Sequence, residues 1–298
     1  MPEFETVPEF ERHRTLLFAA AYRMLGTRSD AEDVLQEAWL RWSRVDHDAV
    51  DDPRAYLFRV VTRLALDHLR RGKARREAYV GPWLPEPLIT SPDVAEDVEL
   101  AESVSMSLLV VLETLTPPER AVFVLHEAFG FSHTEIADLI GRTERAVRQL
   151  AYRARQHVHA RRPRRQAGVA EHREVTERFL AAALGGDLAA LLDILAPDIT
   201  LIADANGTAE TPRHPVHGAR DVADFFVAAA AFWPPALGIE ITTVNGGPGA
   251  VITTHGQPYL VFALDIDPAD HRLREINAVL NPDKLRGDQR FGRIRQHR

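Results

Sequence analysis

The sequence contains no cysteine among its 298 residues, which excludes disulfides, cysteine nucleophiles and thiolate zinc sites. It also has no apolar run approaching the length of a membrane span, so we expect no membrane association. The charged N-terminal stretch, residues 1–14, lacks the apolar core of a signal peptide, and we therefore expect a cytoplasmic protein. Lysine is nearly absent: Lys73 and Lys284 are the only two, so arginine supplies the other 34 of the 36 basic residues.

The charges that are present are segregated along the chain. A formal net charge of −7 would by itself argue against a nucleic-acid partner. However, residues 30–37 hold four acids, residues 93–102 hold five, and residues 142–165 hold nine arginines against the single acid Glu144. Such blocks indicate several surfaces with different partners.

Apolar periodicity divides the chain into helical and mixed parts. Helical spacing dominates up to about residue 159, and helices followed by alternating strands occupy the rest. The fold class that we predict is multidomain: two all-α domains followed by an α+β domain with an antiparallel sheet. The predicted segments are a helical domain (1–72), a linker (73–103), a second helical domain (104–165), the α+β domain (166–285) and a basic tail (286–298).

Residues 133–152 have the pattern of a helix-turn-helix. Ile136, Ile140, Val147 and Leu150 fall where two crossed helices bury side chains, and Gly141 stands at the turn, where a positive φ is needed. Arginine and glutamine on the other face of the second helix can read base edges and hold phosphates. The alternative is a helical hairpin with a solvated basic face.

At this point the chain resembles the extracytoplasmic-function (ECF) sigma factors of bacterial RNA polymerase. The resemblance covers roughly residues 8–160. Its motifs, in order, are DAEDVLQEAW (30–39), AYLFRVVTR (55–63), LDHLRR (66–71), LTPPER (115–120), EIADLIG (135–141) and RAR (153–155).

The remainder resembles the SnoaL-like extension of one subgroup, a cone built on a curved sheet. The subgroup's linker motif WLPEP is present at residues 83–87 and its C-terminal motif NPDKL at residues 281–285. One departure concerns a glycine-rich stretch that usually reads DGGGK. Here residues 204–208 read DANGT, so the aspartate remains and the lysine is missing.

The resemblance implies partners and residues for each helical domain. The partners are core RNA polymerase, through its β′ clamp and β subunits, and promoter DNA. The implied polymerase-binding residues are Asp30, Asp33, Gln36 and Glu37, although acids at a helix start also suit the helix dipole. The residues implied to bind the promoter −10 region are Arg54, Arg59, Arg63, Arg70 and Arg71, while Phe58 is better interpreted as core. For the −35 element they are Thr143, Arg145, Arg148, Gln149, Tyr152 and Arg153.

The WLPEP segment is unexpectedly apolar for a free linker. We favour a docked segment over a chance tryptophan, because exposed apolar patches usually mark contacts. The expected interdomain contact joins Trp83, Leu84 and Pro85 to Asn281, Pro282, Asp283, Lys284 and Leu285. On this interpretation the extension is a built-in regulator that modulates the sigma factor.

Two other functions compete with a regulated sigma factor. The C-terminal domain could hold a small apolar ligand, or transform one with acid–base groups drawn from Asp204, His214, His217, Asp224 and His255. A regulatory role is favoured over both; of the two, binding is favoured over catalysis, so we expect no enzyme and assign no cofactor and no metal. A repressor that binds duplex DNA without polymerase is the second competitor, but an acidic docking helix argues against it.

Overall fold

Two compact units make up the part of the chain that the structure describes. In this computed structural model that part comprises residues 3–77, 79–90, 105–159, 169–208 and 211–286. The first unit contains residues 3–77 and 108–159, and the second contains residues 79–90, 105–107 and the described residues from 169 onward. The acidic stretch 93–102 and the basic tail beyond Arg286 lie outside the described residues.

The first unit is helical throughout its described residues. Its helices are α1 (Glu3–Leu25), α2 (Arg28–Trp42), α3 (Pro53–Glu77), α4 (Met106–Glu113), α5 (Pro117–Phe123), α6 (His133–Ile140) and α7 (Glu144–His159). The first two residues of α4 are assigned to the second unit, and the helix belongs to the first unit from Leu108 onward. A π-helical turn, Val124–Ala128, follows α5. Helix α3 extends past residue 72, the predicted end of the first helical domain, because residues 73–77 are mostly good helix formers.

Local capping residues fix the helix boundaries of the helix-turn-helix. At the start of α6, the backbone NH of Ser132 donates to Glu135 Oε2 at 2.7 Å, and the NH of Glu135 donates to Ser132 Oγ at 3.2 Å. At its end Gly141 has φ 67°, a left-handed conformation that favours glycine. The chain therefore turns at the predicted position and begins α7 three residues later.

The helices before and after the linker share one core. Phe58 of α3 is fully buried, as expected, and its ring lies 5.2 Å from Phe129 and 5.0 Å from Phe131. The buried guanidinium of Arg120 donates to the backbone oxygen of Met24 at 2.9 Å and to Glu113 at 2.6 Å. These contacts hold α3 and α1 against the helices that follow the linker.

The second unit combines helices with one seven-stranded sheet. Its helices are α8 (Val169–Gly185), α9 (Leu188–Ile194), α10 (Ala219–Ala230) and the short α11 (Pro282–Leu285). Its strands are β1 (Ile89–Thr90), β2 (Leu195–Asp204), β3 (Val216–His217), β4 (Leu237–Val244), β5 (Gly247–Thr254), β6 (Gln257–Ile266) and β7 (Leu273–Val279). The strand order is β1-β4-β5-β6-β7-β2-β3.

The α+β fold class is confirmed, but the sheet is not antiparallel throughout. Strands β4 to β7 form the expected antiparallel meander, whereas β2 pairs with β7 in parallel. The reason is the connection: α10 and the meander separate β2 from β7, so the chain crosses over and returns in the same direction. The core lies between the helices and the sheet, where Phe226 of α10, Phe179 of α8 and Phe262 of β6 meet.

Strand β1 belongs to the stretch that the sequence analysis treats as a linker. Ile89 and Thr90 pair with Val244 and Thr243 at the edge of the sheet. A two-residue strand has no periodic signal, which is why the sequence did not indicate it. Within the described residues, no helix combines the length and the apolar content that crossing a membrane requires.

Candidate functional sites

The predicted polymerase-binding residues lie on the exposed side of α2. Asp30 also serves the helix start, because Thr27 Oγ1 donates to its carboxylate at 2.7 Å. Asp33, Gln36 and Glu37 are exposed and line one groove between α2 and α3, together with Leu40, which is 42% exposed. The structure therefore brings three of the four residues together around an apolar side chain.

One predicted DNA-binding arginine lies in the same groove. Arg71 of α3 lines its far wall beside His68, and its Nε donates to the backbone oxygen of Asp67 at 3.3 Å. Arg70 points its guanidinium to the carboxylate of Asp67 at 2.9 Å. The end of α3 thus adds positive charge next to the acidic side of α2.

The other predicted −10 arginines are spread along α3. Residues 54 and 71 are separated by about 25 Å of helix, so the five side chains do not form one cluster. Arg54 stacks over the ring of Phe131, with 5.1 Å between its Cζ and the ring centroid. Arg63 Nε donates to the backbone oxygen of Leu139 in α6 at 3.2 Å. Arg54 and Arg63 are therefore engaged by the helix-turn-helix part of the first unit.

Helix α7 gathers most of the predicted −35 residues on one surface. Its apolar side buries Val147, Leu150 and Ala154. The opposite side is one open surface formed by Glu144, Arg145, Arg148, Gln149, Tyr152 and Arg153. Thr143 lies outside this surface and instead caps the helix, accepting a hydrogen bond from the NH of Ala146 at 3.3 Å.

Two of the predicted −35 arginines of α7 have acidic partners. Arg148 is paired with Glu144 one turn earlier. Arg153 Nε donates to Glu119 Oε1 at 2.7 Å, and Glu119 is buried in α5. Burial raises the pKa of Glu119, but hydrogen bonds from Thr116 and Arg153 outweigh burial and hold that pKa below its usual value. Arg153 therefore anchors α7 to α5, a role that the sequence did not indicate.

The WLPEP segment is fixed to the second unit by a buried ionic cluster. We call this cluster the linker latch; its members are Tyr79, Trp83, Leu84, Asp204, Asn281 and Lys284. The carboxylate of Asp204 is fully buried and accepts from the backbone NH of Leu84 at 2.8 Å and from Lys284 Nζ at 2.6 Å. The hydroxyl of Tyr79 also donates to this carboxylate.

Lys284 connects both motifs of the latch. Its ammonium group donates to the backbone oxygen of Leu84 and lies 4.0 Å from the centroid of the Trp83 ring. A cation over an indole face gains up to about 2 kcal/mol when it is desolvated. One of the only two lysines in the sequence thus holds the linker segment through an ion pair, a hydrogen bond and a cation–π contact.

Asn281 and Tyr79 complete the latch. Asn281 Nδ2 donates to the Tyr79 hydroxyl at 2.6 Å, and the Asn281 side chain also caps α11. Burial and the hydrogen bond to Asp204 raise the pKa of Tyr79 well above its usual range, so the phenol stays neutral and donates. Of the remaining predicted interdomain residues, Pro85 and Leu285 are buried, Pro282 begins α11 and Asp283 is exposed.

The docking of the linker segment continues beyond the latch to β1. Asn245, which has φ 50° in the turn after β4, accepts from the NH of Leu88 at 3.2 Å and donates its own NH to the Leu88 oxygen at 2.8 Å. Sequence reasoning missed Asn245 and Tyr79. The sequence singled out Asp204 only as the surviving residue of an altered loop and as an acid–base candidate, not as the partner of Lys284.

The five acid–base candidates of the second unit do not meet. Asp204 belongs to the latch, and Asp224 is exposed and paired with Arg220 at 2.8 Å. His217 contacts Thr200 on the surface, and His214 and His255 are exposed. Within the described residues, no three His, Asp or Glu side chains form a metal-binding group.

Comparison with known proteins places these units in a family. The Sigma-70 region 2 model matches residues 10–76 and the Sigma-70 region 4 model matches residues 105–158. The chain is 41% identical to the ECF RNA polymerase sigma factor SigJ of Mycobacterium tuberculosis, over 98% of this chain and 99% of that one. It is 40% identical to the probable ECF sigma factor SigI of the same species, over 65% and 68% of the two chains.

A solved structure agrees over nearly the whole chain. The crystal structure of M. tuberculosis SigJ matches with a TM-score of 0.75 and 37% identity, over 95% of this chain and 99% of that one. The chain therefore belongs to the family of ECF RNA polymerase sigma factors. The predicted family, and the order of two helical sigma domains followed by an α+β domain, are confirmed.

Proposed function

We propose that this sigma factor docks on the β′ clamp of core RNA polymerase through α2, reads promoter DNA with α3 and α7, and is regulated through the linker latch. The observation that carries the regulatory part is the buried pairing of Lys284 with Asp204 around the backbone of Leu84. This pairing ties the segment that joins the two DNA-reading parts to the C-terminal unit.

The groove between α2 and α3 supports a docking role. Its exposed acids, Asp33 and Glu37, complement a basic partner, and Leu40 offers an apolar centre for the contact. We expect Asp33→Arg to weaken binding to core polymerase about tenfold, because a like charge then faces the basic partner. Glu32→Arg is the matched control, since Glu32 is exposed on α2 but does not line the groove. Equal binding by both variants in a titration with labelled protein would argue against this docking surface.

The exposed side of α7 supports a role in reading the −35 element. Arg145 and Gln149 are exposed on the surface that an HTH recognition helix turns to the major groove, so we assign them the base contacts. Arg148 and Arg153 already hold carboxylates, so we assign them to phosphates and to helix positioning.

The contacts of α3 support a rearrangement of the first unit when it reads DNA. Arg54 and Arg63 are exposed but contact Phe131 and the Leu139 carbonyl, so a separation of α6 from α3 would free Arg63 fully for DNA. How far α3 and α6 can separate depends on the chain between them. Because the latch holds part of that chain, the C-terminal unit is positioned to control the separation.

Promoter-directed transcription tests the regulatory proposal. Core polymerase is supplied with the full chain, with truncations after Ala167 and after Leu285, or with Trp83→Ala, and run-off transcripts are quantified. We expect the truncation after Ala167 and Trp83→Ala to change transcript yield, since both release the linker segment. Ile239→Ala, which removes an exposed apolar side chain outside the latch, is the control. Unchanged yield in all three altered proteins would refute the regulatory role.

A further inference from the structure

A cavity in the second unit lies between α10 and the sheet. It has a volume of about 400 Å³ and is walled by β2, β6 and β7 on one side and by the end of α10 on the other. Phe225, Phe226, Trp233 and Phe262 supply aromatic walls. The volume falls within the range of about 300–1,000 Å³ that small-molecule sites occupy.

The chemistry of the wall selects a neutral, apolar ligand. No charged side chain lines the cavity within the described residues, and the only side-chain hydroxyls there belong to Thr211 and Tyr259, both partly exposed. A charged ligand would lose its hydration without gaining a partner, which is costly. Phe232 at the rim is 78% exposed, an apolar surface that a ligand entering the cavity would cover.

The size of the cavity sets the size of the ligand. An apolar cavity of about 150 Å³ accommodates a benzene ring. A cavity of about 400 Å³ therefore takes a molecule of two or three fused or linked rings. None of the five acid–base candidates named above lines the wall, so the chemistry favours binding over turnover.

The cavity shares two strands with the linker latch. Ala203 and Leu280 line the cavity, and their chain neighbours Asp204 and Asn281 belong to the latch. The backbone NH groups of Leu280 and Asn281 both donate to the backbone oxygen of Asp204, at 2.7 and 2.9 Å. Displacement of either strand at the cavity wall would therefore displace the groups that hold the linker segment.

We propose that this cavity binds a neutral compound of two or three rings and that occupancy stabilises the closed linker latch. A filled cavity supports β2 and the end of β7 from the inside, in the positions that place Asp204 and Asn281. Thermodynamic linkage works in both directions: the factor by which a bound ligand favours the closed latch is also the factor by which closing the latch raises ligand affinity. The regulatory meaning of this coupling rests on the proposed function, whereas the binding and the coupling do not.

Binding is tested with N-phenyl-1-naphthylamine, a neutral three-ring dye whose fluorescence rises in apolar surroundings. The full chain is titrated with the dye, alongside Ala229→Phe, which fills the cavity, and Ala231→Phe, which adds the same group at a nearby exposed position that does not line the cavity. We expect Ala229→Phe to weaken dye binding about tenfold and Ala231→Phe to change it less than about twofold.

Two results would overturn the binding claim: no saturable dye binding by the unaltered chain, or equal binding by the two phenylalanine variants. Thermal melts accompany each titration. If Ala229→Phe melts early, Ala228→Phe takes its place, because Ala228 also lines the cavity but is exposed.

Coupling is tested with the same dye and a broken latch. Lys284→Met removes the ammonium group of the latch, and Arg286→Met removes an exposed charge two residues away. We expect dye affinity to fall at least about threefold in Lys284→Met only, within the usual range of coupling between sites. Equal affinity in both variants would overturn the coupling. Neither titration uses polymerase or DNA, so these results are independent of the transcription assay.

Discussion

Breaking the linker latch should release the backbone of Leu84 to solvent exchange. In Lys284→Met the ion pair at 2.6 Å, the hydrogen bond to the Leu84 oxygen and the contact with the Trp83 ring are lost together. The carboxylate of Asp204, which is fully buried, then has no opposite charge. Removing one partner of a buried ion pair typically costs about 3–5 kcal/mol.

This loss of stability should raise the hydrogen-exchange rate of one backbone amide. The NH of Leu84 is buried and donates to Asp204 Oδ2 at 2.8 Å, so its hydrogen exchange reports opening of the latch. A loss of about 3 kcal/mol in opening free energy accelerates exchange roughly a hundredfold, since each 1.36 kcal/mol is about a factor of ten. Hydrogen–deuterium exchange of a peptide containing Leu84, followed by mass spectrometry, measures this factor.

Two further variants separate the ion pair from general destabilisation. Arg286→Met removes a nearby exposed charge and should leave exchange at Leu84 unchanged. Asp204→Asn combined with Lys284→Met removes both charges, so exchange should slow relative to Lys284→Met alone, because no uncompensated buried charge remains. Exchange at Leu84 that rises less than about threefold in Lys284→Met would refute the latch as described.

Three other changes have defined outcomes in urea or thermal unfolding. Burial and the facing carboxylate of Glu275 raise the pKa of Asp265 to about 6, so the folded state binds this proton more tightly than the unfolded state and loses stability as pH rises through 6. Asp265→Asn should therefore stabilise the second unit by about 1–3 kcal/mol at pH 7.5 and much less at pH 4, measured as the free energy of unfolding at both pH values. Arg120→Met should destabilise the first unit by about 3–5 kcal/mol in urea unfolding, because Glu113 loses its buried partner. Ser132→Ala should cost about 1 kcal/mol in the same assay, because α6 loses its N-cap.

Each of these three changes has a matched control at an exposed position. Asp270→Asn, Arg142→Met and Thr134→Ala alter an exposed carboxylate, guanidinium and hydroxyl that have no buried ionic partner and cap no helix. Effects of equal size in the matched pairs would contradict the assignments. A stability of Asp265→Asn that depends on pH as strongly as that of the unaltered chain would likewise contradict the raised pKa.

The parts of the fold that local sequence determines were predictable. The capping box at Ser132 and the turn at Gly141 set the limits of α6, and apolar alternation indicated the strands of the C-terminal domain. The exposed, basic side of α7 was equally predictable, because the helical period alone separates Arg145 from Val147.

The parts that depend on contacts between distant residues were not predictable. Tyr79 meets Asp204 across 125 residues and Asn281 across 202 residues, and no local pattern records such a pair. The parallel pairing of β2 with β7 is of the same kind, since the meander between them has to be placed first.

The roles of the arginines on α7 also depend on contacts between distant residues. Arg145 and Arg153 are alike in sequence terms, as exposed basic residues of one helix. Only the structure reveals that Arg153 is committed to the buried Glu119 of another helix. The partner of a charged side chain can be predicted from sequence only when both residues are neighbours on one element, as Arg148 and Glu144 are.

Addition of the purified chain to core RNA polymerase tests the central claim most directly. Transcription of fragmented genomic DNA is compared with core alone and with core plus the chain, and the 5′ ends of the transcripts are mapped. The account predicts new start sites that share one −35 and one −10 sequence and that disappear with Arg145→Ala but persist with Arg142→Ala. Specific binding of duplex DNA without core, together with no new start sites when core is present, would contradict it.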